Sequence, residues 1–391
     1  MAYLLMSSFQ SPLRRNLAIA SIASGIANMG LCFSILTTLL AVIAAKLHAS
    51  TLELQWILNI YGIFIAPFLV IMGRLGDKFG YKKLFCIGLF FLVISAIGTA
   101  CSPNPIFIIF FQAFFGLAGA ILLPLSQVLL LSLFPDQKSK AMGIWTSSGG
   151  LSLAFGPITA GLLSLIGSWR LPFFLIGIVA IISLVLALFL IKEPERKNPP
   201  DLDIIGTVLL MLTIGVFVLA VMQTGTWKFF NILGLYTLSA ALVIYLFRFE
   251  KTIKTPILQI PLLTHRGFLC AAIANALLIF YAWVFMFLVP LYLQTSLSRS
   301  LLTTGLLMLC LTIPLTFVSN IAGRFYDFFG AKLMMGMGYA LMLVTSVLGT
   351  YFEIHSLRRN ENSEKLHYKY SYLNIRSEIN KISDLIFYFD Y

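Results

Sequence analysis

Apolar runs long enough to cross a lipid bilayer follow one another along almost the whole of this 391-residue chain. An α-helix of about 20 apolar residues spans the hydrocarbon core. Only 11% of the residues are charged, whereas a soluble domain carries about 25%, so a soluble globular enzyme is excluded. We predict an all-α integral membrane protein with about eleven transmembrane helices, at residues 17–45, 53–72, 84–101, 106–133, 141–166, 171–191, 204–223, 229–247, 267–292, 302–322 and 333–352.

Lysine and arginine are concentrated in alternate loops between these predicted helices. With the N-terminus placed in the cytoplasm, 17 of them fall in cytoplasmic segments and 4 in outer segments, up to residue 352. Cytoplasmic loops carry an excess of basic residues, so the pattern predicts a cytoplasmic N-terminus in the cell (inner) membrane. The net charge of +12 is therefore attributed to the basic residues that orient the chain in the membrane. Nucleic acid is not predicted as a partner.

A short segment occurs twice, each time between two predicted helices. Residues 73–84 read GRLGDKFGYKKL and residues 323–334 read GRFYDFFGAKLM. Each copy is predicted to be a tight cytoplasmic turn, because glycine lets the chain reverse quickly and an aspartate is stabilised when it faces a helix N-terminus. The alternative, two unrelated basic hairpins, is disfavoured by six shared positions, which are Gly73/Gly323, Arg74/Arg324, Asp77/Asp327, Phe79/Phe329, Gly80/Gly330 and Lys82/Lys332.

These two segments resemble the signature loop of the major facilitator superfamily, which that family repeats once per half. The resemblance implies that the glycines, basic residues and aspartates of both copies form conformational-switch loops. It also implies that Asp327 faces the fifth helix, whereas Asp77 lacks its partner on a thirteenth helix. Further segments resemble the family's fourteen-helix drug:proton antiporter branch, namely KLHAS at 46–50, LQWILNIY at 54–61, SWR at 168–170 and LYLQ at 291–294.

The position of the second loop copy implies two additional helices, because in a twelve-helix member of the family that loop would lie two helices earlier. The resemblance thus implies a two-bundle helical fold whose second bundle is incomplete, in a chain truncated after its eleventh span. The expected parts are an N-terminal six-helix bundle (1–191), a linker with two inserted central helices (192–266), the first three helices of the C-terminal bundle (267–352) and a polar tail unrelated to the family (353–391).

The segment GPITAG at 156–161 resembles the fifth-helix motif of the family's antiporters. Gly156, Pro157 and Gly161 match that motif, and Ala160 replaces the first glycine of its closing pair. Gly156 and Ala160 form a pair of small residues that lets helices approach closely. Two interpretations are open: plain tight packing, and contact with the other bundle that steers a rocking motion.

Acidic residues are absent from the middle of every predicted span, and Glu53 and Asp203 are predicted to stabilise helix starts. A proton-coupled transporter needs a titratable group within the membrane. By the resemblance, an aspartate would stand at Cys32 in the first helix and an arginine at Gln112 in the fourth. Cys32 and Gln112 are therefore predicted to line a pore, and proton antiport is not carried over from the family.

Enzymatic and metal chemistry are not predicted. The sequence has no phosphate-binding glycine loop followed by Lys-Ser or Lys-Thr, which disfavours an ATP-driven pump. The five cysteines and four histidines follow no ligand spacing. We predict no catalytic residue, cofactor or metal site, and we expect the cysteines to be small core residues.

Three hypotheses for the function are open. The first is a transporter that exports drugs or other small molecules, apolar or amphipathic, by alternating access between its two bundles. The second is a truncated remnant without transport activity, motivated by the lost coupling residues and the incomplete bundle. The third is a passive facilitator for a small metabolite. The resemblance implies a monomer if the fold is complete, with the lipid bilayer as its other partner.

Overall fold

Helices form every regular element among the residues that the structure, a computed structural model, describes. The described residues are 12–194, 203–253, 265–295, 303, 306–308, 325, 329–330 and 332–344. In chain order the helices are α1 (Pro12–Leu47), α2 (Thr51–Phe79), α3 (Tyr81–Cys101), α4 (Pro105–Leu133), α5 (Lys138–Ile166), α6 (Leu171–Leu190), α7 (Ile204–Gln223), α8 (Phe229–Glu250), α9 (Arg266–Thr295) and α10 (Lys332–Val344).

Seven of these helices are long and apolar enough to cross a membrane, namely α1, α2, α3, α4, α6, α7 and α8. They confirm an all-α membrane-spanning fold, although fewer helices qualify than the predicted eleven. α5 is 29 residues long and is not among these seven. α9 and α10 contain shorter apolar stretches, and the predicted helix at 302–322 and the tail at 353–391 lie almost wholly outside the described residues.

Helix starts carry the side-chain caps that the sequence predicts. At the start of α2 the Glu53 amide donates to Ser50 Oγ (3.3 Å), and the Ser50 amide donates to Glu53 Oε2 (2.8 Å). At the start of α7 the Gly206 amide donates to Asp203 Oδ1 (2.9 Å). Such caps satisfy amides that have no partner within the helix, so the capping roles predicted for Glu53 and Asp203 are confirmed.

Arginine side chains donate hydrogen bonds to carbonyl groups at two helix C-termini of the first bundle. Arg15 Nη2 donates to the carbonyl of Leu133 at the end of α4 (3.0 Å). Arg170 Nη2 donates to the carbonyl of Ser102, just after α3 (3.0 Å). The carbonyls that end a helix attract cations. Arg15, at the start of the described part of α1, therefore ties this helix to the end of α4.

The helices α1–α6 pack into one bundle with a continuous apolar core. Phe85, Phe115 and Phe173, from α3, α4 and α6, are its largest fully buried side chains. Close approach depends on glycine: a Cβ added at Gly116 of α4 would lie 2.6 Å from the Tyr61 carbonyl oxygen of α2. The backbones of α2 and α4 therefore touch, as in other tightly packed membrane helices.

The helices α7 and α8 form a hairpin attached to this bundle. Their own small core is built from Leu209, Leu210 and Leu246. α7 reaches the bundle through α2, where Met222 and Gly215 of α7 lie against glycine and proline residues. Phe230 of α8 is 82% exposed, so this end of the hairpin offers an apolar surface to lipid.

Two compact units divide the chain. The first consists of Met1–Cys270 and Arg299–Gly323, and it contains α1–α8. The second consists of Ala271–Ser298 and Arg324–Tyr391 and contains α10 and most of α9. The four-part division predicted from the sequence stays a prediction.

Candidate functional site

The first copy of the repeated segment forms the junction between α2 and α3. α2 continues to Phe79 and α3 begins at Tyr81, so a single residue, Gly80, separates them. Gly80 has a φ of 107°, a conformation in which a side chain would be strained. The predicted turn over 73–84 is therefore too wide, because the chain reverses at one glycine and Gly73 lies within α2.

The junction is tied to the end of α6 by two reciprocal contacts. Glu193, just after α6, accepts the Tyr81 amide at Oε1 (2.6 Å) and the Lys82 amide at Oε2 (3.2 Å). Lys82 Nζ donates to the carbonyl of Leu188 in the last turn of α6 (2.7 Å). A carboxylate thus faces the positive end of α3 and an ammonium the negative end of α6, which stabilises both ends.

The expectation that Asp77 faces a helix N-terminus is wrong, since Glu193 occupies the N-terminus of α3. Asp77 lies in the last turn of α2 and accepts a hydrogen bond from the Tyr81 hydroxyl. The reason is local: the Tyr81 hydroxyl at the start of α3 donates to Asp77, while the amides of Tyr81 and Lys82 donate to Glu193. Asp327, which is expected to face the fifth helix, lies outside the described residues.

Replacement of Glu193 by alanine is expected to lower the free energy of unfolding by about 1 kcal/mol, since two amides of α3 lose their acceptor. Glu193→Gln keeps one side-chain oxygen and should lose less. The measurement is thermal unfolding of the purified protein in detergent. Asp136→Ala, which removes an exposed carboxylate from the α4–α5 turn, is the matched control, and equal effects of both alanine variants would contradict the capping role.

The second copy of the segment is described in part. Gly330, which matches Gly80, has a φ of 75°, so both copies place a left-handed glycine at the same position. Lys332 follows at the start of α10 and is exposed. The other predicted switch residues of this copy, Gly323, Arg324 and Asp327, lie outside the described residues.

The fifth-helix motif packs against α1 within the first bundle. A Cβ added at Gly156 would overlap the Ser34 side chain and lie 3.2 Å from the Ile35 amide nitrogen. Ser34 Oγ donates to the carbonyl of Leu153, one turn earlier in α5 (2.8 Å). Pro157 is also buried. The described contacts support tight packing, and a role of the motif in steering the second bundle stays a prediction.

Small residues extend the α1–α5 contact along both helices. A Cβ added at Gly30 of α1 would lie 3.1 Å from the Gly149 carbonyl oxygen of α5. Ala160 is fully buried on the same helix. By contrast, a Cβ added at Gly161 would meet no atom within 4 Å. The seam between α1 and α5 therefore requires glycine at some positions of the motif and leaves space at others.

The two predicted pore residues are both fully buried within the first bundle. Gln112 Nε2 donates to Thr99 Oγ1 of α3 (3.3 Å), while its Oε1 has no hydrogen-bond partner among the described residues. Cys32 belongs to the apolar core. The structure thus places Gln112 in the contact between α3 and α4, and pore lining by either residue stays a prediction.

Other sequence-based expectations for polar groups have mixed outcomes. Cys32 and Cys86 are buried as expected, but Cys101 and Cys270 are exposed, so the expectation of core cysteines is wrong for these two. The residues that the structure describes bring together no group of three or more histidine, cysteine or acidic side chains that would hold a metal ion.

Sequence analysis missed two kinds of contact. One is the Glu193 cap, whose partners stand 112 and 111 positions earlier in the chain. The other is an aromatic set where α1, α2 and α4 meet: the Tyr61 ring lies 5.9 Å from Phe33 and 5.2 Å from Phe115 between centroids. The position of Glu193 directly after an apolar run could have indicated a role at a helix end. The sequence around Glu193 does not indicate which helix it caps.

Comparison with known proteins identifies relatives over most of the chain. The tetracenomycin C resistance and export protein of Streptomyces glaucescens is 29% identical over 325 residues, 81% of this chain and 60% of that protein. The multidrug efflux pump LfrA of Mycolicibacterium smegmatis is 30% identical over 322 residues, 81% of this chain and 63% of that protein. The riboflavin transporter RibZ of Clostridioides difficile is 26% identical over 80% of this chain and 68% of its own.

Solved structures and family membership agree with the fold. The chain spans 60% and 63% of the length of the first two relatives. A crystal structure of the peptide transporter POT in complex with sulfate superposes with a TM-score of 0.51 and 15% identity, over 84% of this chain and 68% of that chain. The family described as Major Facilitator Superfamily matches residues 22–348. This chain therefore belongs to the Major Facilitator Superfamily of membrane transporters.

Proposed function

We propose that this protein exports drugs or other apolar or amphipathic small molecules by alternating access. The observation that carries the proposal is the alignment of 81% of the chain with a resistance and export protein and with a multidrug efflux pump. The α1–α6 bundle, with a switch loop at its α2–α3 junction, supplies one of the two bundles that such a mechanism needs.

The inserted hairpin supports the fourteen-helix drug:proton antiporter branch. α7 and α8 follow the six-helix bundle and carry their own apolar core. Two helices at this place in the chain are what the spacing of the repeated loops requires. The 17 basic residues against 4 in alternate loops support a cytoplasmic N-terminus in the inner membrane. The monomeric state is proposed from the family resemblance.

Acidic groups in the described spanning helices lie at their ends, where Glu53 begins α2, Asp77 ends the same helix and Glu250 ends α8. A carboxylate in mid-membrane would have indicated a proton site. The energy source of export is therefore the part of the proposal that an experiment has to decide.

Cells that lack their own exporters and express this chain are expected to accumulate less ethidium or Hoechst 33342 than cells with an empty vector. Collapse of the proton gradient with a protonophore should raise accumulation to the vector level. Immunodetection in the membrane fraction confirms that the protein is present. Accumulation equal to the vector, with the protein in the membrane, would contradict export of these dyes by this chain.

A passive facilitator is the second candidate. It is favoured by the similarity to a riboflavin transporter and by the end positions of the acids in the described spans. A facilitator would speed the equilibration of its substrate in both directions, with or without a proton gradient. Riboflavin uptake and release by proteoliposomes, at zero and at imposed gradient, separates this candidate from a gradient-driven exporter.

A further inference from the structure

A surface groove of about 440 Å³ lies where the start of α3 meets the end of α6. We call it the α3–α6 groove. Its lining combines lysines with apolar side chains and one carboxylate, namely Lys82, Lys83, Ile87, Phe90, Leu188 and Glu193. The contacts described above join the helix ends beside this groove, and they give the groove itself no role.

The apolar part of the groove faces the lipid phase. Phe90 of α3 is 52% exposed and Leu188 of α6 is 50% exposed, and both helices are apolar enough to span the membrane. From Lys82 to Phe90 the α3 axis rises about 12 Å. The groove therefore runs from the polar interface into the depth where acyl chains lie, so its occupant needs a polar head and an apolar tail.

The polar end of the groove favours an anion. Lys83 is exposed there, and Lys82 uses one donor on the Leu188 carbonyl although an ammonium carries three. Glu193 is the negative group in the lining, and its two oxygens accept the amides of Tyr81 and Lys82. The carboxylate oxygens are thereby directed at the helix end, and the lining carries two positive charges against one negative charge.

We propose that the α3–α6 groove binds an anionic phospholipid. The phosphate lies between the ammonium groups of Lys82 and Lys83, and one acyl chain lies along Ile87, Phe90 and Leu188. A soluble anion would match the lysines but not the apolar floor, and a neutral lipid would match the floor but not the lysines. Basic residues near a membrane surface attract anionic lipids in this way.

The test uses the purified full-length chain in detergent. Native mass spectrometry counts the lipids retained after titration with dioleoyl-phosphatidylglycerol, dioleoyl-phosphatidylcholine or glycerol phosphate. We expect phosphatidylglycerol to be retained at concentrations at which the other two are not. Lys83→Gln should weaken its binding about fivefold, the factor that corresponds to about 1 kcal/mol per basic residue at an anionic surface, and Lys83→Arg should restore it.

Lys138→Gln is the matched control, because it removes one exposed lysine at the start of α5, away from the groove. Equal losses in Lys83→Gln and Lys138→Gln would overturn the proposal, since they would indicate attraction by net charge alone. Equal retention of phosphatidylglycerol and phosphatidylcholine by the unmodified protein would overturn it without any variant. Retention of glycerol phosphate on its own would assign the site to a soluble anion and would also overturn it.

Discussion

Replacement of Gly156 by alanine will lower the free energy of unfolding by about 2 kcal/mol, within the range typical of overpacked cores. The added Cβ overlaps the Ser34 side chain and comes within 3.2 Å of the Ile35 amide nitrogen. Ser34 Cβ and the Ile35 amide nitrogen are fixed to the backbone of α1, so α1 and α5 have to separate. Separation would also stretch the hydrogen bond from Ser34 Oγ to the Leu153 carbonyl. Thermal unfolding in detergent measures the loss.

Gly161→Ala makes the same chemical change in the same motif and provides the control. A Cβ at Gly161 meets no atom within 4 Å, so stability should stay within about 1 kcal/mol of the unmodified protein, and the better helix propensity of alanine favours a small gain. If the two variants melt at the same temperature, α1 and α5 are not packed as closely at Gly156 as the structure shows.

The second large effect is expected on transport. If the α2–α3 junction acts as the switch loop that we propose, Asp77→Asn should lower dye export about tenfold, which corresponds to a change of about 1.4 kcal/mol in the balance between the two transport conformations. The substitution keeps the size of the side chain and removes its charge. We expect the thermal stability of the protein to change little, because the amide oxygen of asparagine can still accept the hydrogen bond from the Tyr81 hydroxyl.

Tyr81→Phe separates the charge of Asp77 from its hydrogen bond. This variant removes the hydroxyl that donates to Asp77 and leaves the carboxylate in place. If the charge matters, Tyr81→Phe exports dye far better than Asp77→Asn. Equal export by Asp77→Asn and the unmodified protein, at equal amounts in the membrane, would show that the α2–α3 junction does not act as a switch.

Helix positions were predictable from the sequence because lipid imposes a minimum length on an apolar run. The start of α7 at residue 204 and its end at residue 223 agree with the prediction. The position of the α2–α3 junction was not predictable, because Gly73 and Gly76 look like turn residues when only neighbours in sequence are considered. Both lie inside α2, where Gly76 lets Leu125 and Tyr81 approach.

Contacts between helices were not predictable, for a physical reason. In a membrane helix both the lipid-facing and the protein-facing sides are apolar, so hydrophobic periodicity does not identify the buried face. The contact of Gln112 with Thr99 on α3 is an example, since no residue near Gln112 in the sequence indicates that partner. Similarly, Gly156 packs against Ser34 on α1, and the sequence around residue 156 does not indicate which helix it contacts.

The attachment of α7 and α8 has an evolutionary consequence. The hairpin has its own core at Leu209, Leu210 and Leu246, and α7 meets the six-helix bundle along α2. Within the described part of the chain, the gain of such a hairpin as a module calls for adaptation mainly on α2. The module also offers a position for a fluorescent protein or an affinity handle, since the turn around Gly225 carries little of the packing that holds the bundle together.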